Sequence, residues 1–252
     1  MYRRQFFTLG AALIALVLGC APASPDSQAS PSSPATGAAT ADSRQADRLP
    51  VPPGGRISVA FLLSPGATVI DFTGPWEVFQ DAQGPGGAGF DLFTVAESRE
   101  PIRATGGLQI VPDYTFDNAP EAKVIVIPAQ RSSPRMIDWL RSASARADLT
   151  MSVCTGAFVL AKAGLLDGRS ATTHHEFFDR FESYPKIIVR RNVRYVEGPR
   201  IATAGGLTSG IDLALRVVER YFGHDAAQQT AVYMEHTSTG WHKDAGFWDG
   251  SK

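Results

Sequence analysis

Apolar and polar positions divide the chain at about residue 56. Residues 21–55 are mostly Ala, Pro, Ser, Thr, Gly and Asp, without apolar periodicity. Such a stretch cannot bury enough surface to offset the entropy of ordering it, so it is expected to be a disordered, flexible linker. From Arg56 the pattern changes: 57–63 is a short apolar run, predicting a buried strand closed by Ser64-Pro65-Gly66. A helix is expected from Gly74-Pro75 through Phe79, because proline suits a first helical turn. Strands follow at 90–95, at 108–111 as part of a hairpin, and at 123–127, where Pro128 stops the run. Ser133-Pro134 opens a helix to Arg146, and 84–89 reads as a plain Gly-Pro loop. The strand 149–153 turns through Cys154-Thr155-Gly156 into an apolar helix, 157–165. Further strands are expected at 187–189, 193–196 and 201–203, then an amphipathic helix at 211–222 and another at 226–235.

Strands alternating with helices predict an α/β domain with a mostly parallel sheet and helices on both faces. Ligands in such folds sit at the carboxyl ends of the strands. Asp71 and Cys154 both follow strands, so both belong to that end. About 190 residues remain after the linker, a normal size for one domain with a full core.

Charge changes the picture little: the net is -1 and the pI near 6.5. Arg190, Arg191 and Arg194 come closest to a basic stripe, and they read as a solvated edge rather than a nucleic-acid surface. The first twenty residues read as an address. Arg3-Arg4, Phe6-Phe7 and the apolar run 9–18 resemble a twin-arginine export signal, and Leu16-Val17-Leu18-Gly19-Cys20 resembles a lipobox. An apolar run of about ten residues is too short to span a bilayer core of roughly 30 Å. The expected product is a lipoprotein anchored through Cys20 on the periplasmic side of the envelope. Ala21 in place of aspartate leans toward the outer membrane. The divisions are then 1–20 signal, 21–55 linker, 56–238 domain and 239–252 tail.

Only two cysteines are present, so lipid on Cys20 leaves Cys154 without an intramolecular partner. Cys154 opens a helix, where free amides and the dipole favour the thiolate, and a compact strand–turn–helix lifts the side chain from the sheet. A buried core cysteine is the competing reading. His174, His175, His224, His236 and His242 lack the i, i+4 spacing around a carboxylate that a metal site uses, so neither metal nor cofactor is expected.

Val153-Cys154-Thr155-Gly156-Ala157, Leu160-Ala161-Lys162-Ala163-Gly164-Leu165-Leu166-Asp167-Gly168 and Ala171-Thr172-Thr173-His174 resemble the ThiJ/PfpI family. Asp71-Phe72-Thr73-Gly74-Pro75 and Thr203-Ala204-Gly205-Gly206-Leu207-Thr208-Ser209-Gly210-Ile211-Asp212 extend the likeness over 57–235. The resemblance implies a flavodoxin-like three-layer sandwich, akin to class I glutamine amidotransferases, with a nucleophile elbow. The Asp71 and Cys154-Thr155-Gly156 motifs are similar to those of the isonitrile hydratase branch and of AraC-type sensor domains. The hydratase likeness implies that Cys154 attacks the terminal carbon of an isonitrile, Asp71 moves a proton and Thr155 orients the adduct. His174 is expected either to tune the thiol or to hold the Thr-Thr-His turn. Asp71 has a second reading as a helix N-cap.

Where the family has Pro-Gly-Gly before the nucleophile, this chain has Pro128-Ala129-Gln130. Ala129 is expected to offer an oxyanion amide, with Gln130 and Gly74 shaping the pocket. The family also implies a homodimer and a small-molecule substrate. DNA binding is not expected, since the chain ends soon after the last helix and export removes it from DNA. The alternative function is a non-catalytic small-molecule-binding or redox-sensing lipoprotein.

Overall fold

The computed structural model describes residues 48–242; the expected signal with Cys20, most of the linker and the end of the tail lie outside the described residues. The strands are β1 (Arg56–Leu62), β2 (Gly89–Ala96), β3 (Ile102–Arg103), β4 (Gln109–Ile110), β5 (Tyr114–Thr115), β6 (Val124–Ile127), β7 (Leu149–Val153), β8 (Ser170–Ala171), β9 (Ile188–Val189), β10 (Tyr195–Glu197) and β11 (Ile201–Ala204). The helices are α1 (Val69–Asp81), α2 (Pro134–Arg146), α3 (Ala157–Lys162), α4 (Phe178–Glu182), α5 (Ser209–Phe222) and α6 (His224–Tyr233). A seven-stranded sheet runs β10-β11-β7-β6-β1-β2-β5, parallel except where β10 meets β11.

Period-two alternation sends the two halves of each central strand into different cores. Ile57, Val59, Phe61, Val124, Val126, Met151 and Val153 face one core, shared with α1, α5 and α6. Ala60, Leu62, Ile125 and Ile127 face the other, shared with α2, α3 and Phe181 of α4. The result is the expected three-layer α/β sandwich. After β1 the chain builds outward through β2 and β5, then returns to add β6 on the other side of β1. The loops leaving β1 and β6 therefore diverge, which opens a crevice at the carboxyl ends of the strands.

Several boundaries differ from the sequence expectation. Helix α1 starts at Val69, a turn and a half before Gly74-Pro75, so Pro75 sits in its interior. Proline there removes a single helical hydrogen bond, the one to the Asp71 carbonyl, and the rest of α1 carries on around it. Helix α3 stops at Lys162, because the chain enters the left-handed region at Gly164 (φ 75°). The two-residue strands β5 and β8 and helix α4 are too short to leave a periodic signature. The packed domain also reaches past its expected edges: Leu49 N–H donates to the Arg220 carbonyl at 2.8 Å, and Trp241 is buried with its carbonyl accepting from Tyr195 Oη at 2.9 Å.

The arginine trio is not a uniform solvated edge. Arg191 is half exposed and pairs with Asp179 and Glu182, whereas Arg194 turns inward to the fully buried Asp212. Gly74, expected to shape the pocket, is instead a helix-packing residue: a Cβ there would stand 2.9 Å from Ile211 Cγ1 on α5. Gly74→Val should push α1 from α5 and lower unfolding free energy by about 1–3 kcal/mol in urea titration. Stability equal to wild type would show that the two helices separate freely.

Candidate active site

The strand β7 ends at Val153, and Cys154 follows with φ 58°, a left-handed conformation rare for a residue with a Cβ. Strain of this kind persists only where the surroundings fix it. Cys154 N–H donates to the Gly205 carbonyl at 2.7 Å, and Thr173 Oγ1 donates to the Cys154 carbonyl at 3.0 Å. Gly156 lets the elbow press onto the end of β6: a Cβ there would stand 2.3 Å from the Ile127 carbonyl oxygen. Only glycine fits at that approach.

Asp71, in the first turn of α1, has no exposed surface. Its backbone, not its side chain, serves the start of the helix, and the N-cap is Thr68. The carboxyl reaches across the crevice, where Oδ2 accepts from Ala129 N–H at 3.1 Å. Oδ1 has no partner of normal hydrogen-bond geometry, while Leu207 N–H and the Cys154 thiol act on the carboxyl. Burial pushes Asp71 up to about 6, against the opposing pull of Ala129, Leu207 and the thiol.

The thiol does not behave as its position at a helix start suggests. Burial first, and then the Asp71 charge, push Cys154 up to about 12, outweighing the Thr155 amide and hydroxyl that favour the thiolate. At neutral pH the resting pair is thus a thiol facing a carboxylate. One proton separates this state from thiolate and carboxylic acid, and the two groups titrate as a unit.

The other expected site residues are placed as follows. Thr155 lies at the sulfur, as the resemblance implies. Ala129 does supply an amide, but to Asp71 rather than to an open oxyanion position. Gln130 does not fill a glycine's space at the crevice; its Nε2 folds back to the Leu62 carbonyl at 2.7 Å, which fixes the turn after β6. No hydrogen bond or ion pair among the described residues links His174 to Cys154. Its Nδ1 accepts from Glu176 N–H at 3.4 Å, and its ring fills the space over Gly206, where a Cβ would stand 2.1 Å from Cδ2. Burial, then the neighbouring His175, pull His174 below the usual imidazole range, which keeps it neutral.

A cavity of about 260 Å³ adjoins the elbow, with Thr173, His174, Phe178, Arg194, Gly205 and Leu207 in its lining. Sequence reasoning missed Leu207 and Arg194. Leu207 acts through a left-handed backbone (φ 55°) that no residue preference announces, and Arg194 meets Asp212 only through tertiary folding.

A flavodoxin-like sandwich with a cysteine on a strained elbow against a buried carboxyl defines a class of domain. Residues 57–220 match the DJ-1/PfpI family model, and the chain belongs to that family. It is 34% identical over 186 residues to an isonitrile hydratase of Pseudomonas putida, covering 71% of this chain and 78% of that protein. It is also 32% identical over 177 residues to the HTH-type transcriptional regulator CdhR of Pseudomonas aeruginosa, covering 68% of this chain and 52% of the regulator. Among solved structures, a ThiJ/PfpI family protein from Pseudomonas syringae superposes with a TM-score of 0.66 at 29% identity, covering 73% of this chain and 76% of that one. Drosophila melanogaster DJ-1beta shares the fold, with a TM-score of 0.63 at 22% identity, covering 71% of this chain and 98% of that one.

Burying Asp71 has a measurable signature. Its native value of about 6 lies above its ordinary 3.8, so the group contributes stability that is fully present below 3.8 and is lost as pH rises through about 6. Compared with Asp71→Asn, wild type should gain up to about 3 kcal/mol when thermal or urea unfolding is moved from pH 7.5 to 4. A difference between the two proteins that stays constant across that range would show that Asp71 is solvated.

Proposed function

We propose that this chain is a cysteine-dependent hydratase of small electrophiles, of the isonitrile hydratase kind, held at the cell envelope by lipid on Cys20. The observation that carries the catalytic reading is the Asp71–Cys154 pair, a buried carboxylate set against a thiol on a strained turn. An isonitrile, R–N≡C, is attacked at its terminal carbon. The sulfur–carbon bond forms as Asp71 takes the thiol proton and delivers it to that carbon, giving the thioimidate R–N=CH–S–Cys154. Water then adds to the same carbon and the nitrogen is protonated. Collapse of the adduct expels the sulfur, which recovers a proton, and releases the formamide R–NH–CHO.

The departure at Ala129-Gln130 fits this chemistry. Negative charge in the first step develops on carbon rather than on oxygen, so the step needs a proton donor where acyl transfer needs an oxyanion hole. Fixing the Ala129 amide on Asp71 serves the donor. A resting thiol does not hinder such a mechanism, because the base stands beside it. The same thiol disfavours the redox-sensing alternative, since rapid oxidation requires thiolate at neutral pH. A homodimer, a small-molecule substrate and a periplasmic location through a twin-arginine signal complete the reading.

Purified protein with an alkyl isonitrile should yield the formamide, and both Cys154→Ala and Asp71→Asn should lower kcat/KM by at least about a thousandfold. Because Asp71 must be ionised to accept the proton, kcat/KM should rise with pH through about 6 and then stay level into the alkaline range. Absence of turnover with several isonitriles rules the assignment out, and a rising limb near 8 or 9 would mean that a free thiolate, not the pair, attacks. For the anchor, Cys20→Ser should move the expressed protein from the detergent phase to the aqueous phase in Triton X-114 partitioning. Aqueous partitioning of the wild type would remove the lipid.

A further inference from the structure

The cavity beside the elbow has a composition the catalytic pair does not need. Thr173 and Gly205, which bond to the Cys154 backbone, lie in its wall, and Leu207, whose N–H acts on Asp71, lies there too. Cys154 itself does not line this space, but the groups that hold Cys154 and Asp71 do, so it is neighbouring room for a substituent on a molecule reacting there. At about 260 Å³ it is smaller than the roughly 300–1,000 Å³ of sites for drug-sized ligands, so it admits only a small group.

No carboxylate lines it, while Arg194, His174, His175 and the hydroxyl residues Thr173, Thr208 and Ser209 do. Arg194 is held rather than free. Its Nε and Nη2 bond to Asp212, which has no exposed surface, and Nη2 also reaches Thr208 Oγ1 at 3.3 Å. His236 Nε2 lies 2.9 Å from the other oxygen of Asp212, so the carboxylate is itself fixed. Nη1 of Arg194 has no protein acceptor among the described residues, and Arg194 lines both this cavity and a second one shared with Thr208, Glu235 and His236. With Nδ1 of His174 accepting from the Glu176 amide, the neutral ring carries its proton on Nε2, beside Gly206 of the same wall. Phe178 adds an apolar surface to the lining.

We propose that this cavity is an anion subsite in which Arg194, braced by Asp212 and His236, selects electrophiles carrying a carboxylate, so that the preferred substrate is a small organic acid with its reactive carbon at Cys154. The inference rests on Cys154 being the reacting atom, but not on the reaction being isonitrile hydration. The guanidinium is immobilised before the ligand arrives, so binding an anion there loses little side-chain freedom.

The test uses the full chain and two alkylating agents of nearly equal shape, anionic iodoacetate and neutral iodoacetamide. With either, the Cys154 sulfur–carbon bond forms, the carbon–iodine bond breaks, iodide leaves and the thiol proton passes through Asp71 to water. The ratio of iodoacetate to iodoacetamide rates should exceed that of N-acetylcysteine amide by about tenfold, the increment one charge-assisted hydrogen bond supplies. Arg194→Met should abolish that excess and Arg194→Lys should keep most of it. Benzoate should slow the alkylation of wild type saturably, and benzamide should not. Should Arg194→Met fail to fold once Asp212 loses its partner, the wild-type ratio, Arg194→Lys and the benzoate arm still decide. A thiol that reacts with both reagents at the free-thiol ratio overturns the subsite and leaves the nucleophile standing. A thiol inert to both removes the nucleophile, and the subsite with it.

Discussion

A carboxyl group without solvent, set against a thiol with little exposed surface, is the constraint around which this fold is arranged. Neither group is comfortable charged: burial raises the proton affinity of both, and the Asp71 charge raises that of the thiol further. Holding such a pair takes backbone donors from three separate places: Ala129 after β6, Leu207 before α5 and Thr155 on the elbow. Those three meet because the sheet order reverses between β1 and β6, with β7 next in line. The central topology thus serves the proton between Asp71 and Cys154 more than any large cavity.

The strain at the site is concentrated where the backbone approaches itself. Cys154 and Leu207 both adopt left-handed conformations without being glycine; Cys154 is held by the Gly205 carbonyl and the Thr173 hydroxyl, and the Leu207 carbonyl accepts from Gly210 N–H at 3.0 Å. Gly156 gives clearance against β6, and Gly206 gives clearance for the His174 ring. Histidine in this arrangement is a wall and a donor. Among the described residues, the Asp71 carboxyl and not an imidazole is the ionisable group set against the sulfur, which separates this site from thiol sites built on an imidazole base.

Much of this was legible in the amino-acid sequence, and for definable reasons. Strands β1, β6 and β7 are continuous apolar runs ended by proline or a turn, so periodicity and punctuation located them within a residue or two. Ser133-Pro134 fixed the start of α2 because the Ser133 hydroxyl accepts from Met136 N–H at 3.1 Å. Helix α1 was misplaced because proline was read as a start where tertiary packing against α5 carries the helix through it. Cys154, Asp71 and Thr155 were found from motif and position. The direction in which the thiol shifts was not, because a helix terminus favours the thiolate locally while burial beside a carboxylate depends on the whole fold. Arg194 was read as exposed for the same reason: its partner Asp212 is eighteen positions away and buried.

The hydrogen bond from Leu49 to the Arg220 carbonyl has a consequence for orientation. Arg220 lies near the carboxyl end of α5, whereas the crevice opens at that helix's amino end, eleven residues or about 17 Å away. The polypeptide therefore enters the domain at the pole opposite its reactive pair. A hold on residues 48–50 would leave the crevice at the far end of the sheet, with the amino ends of the parallel strands nearest the point of attachment.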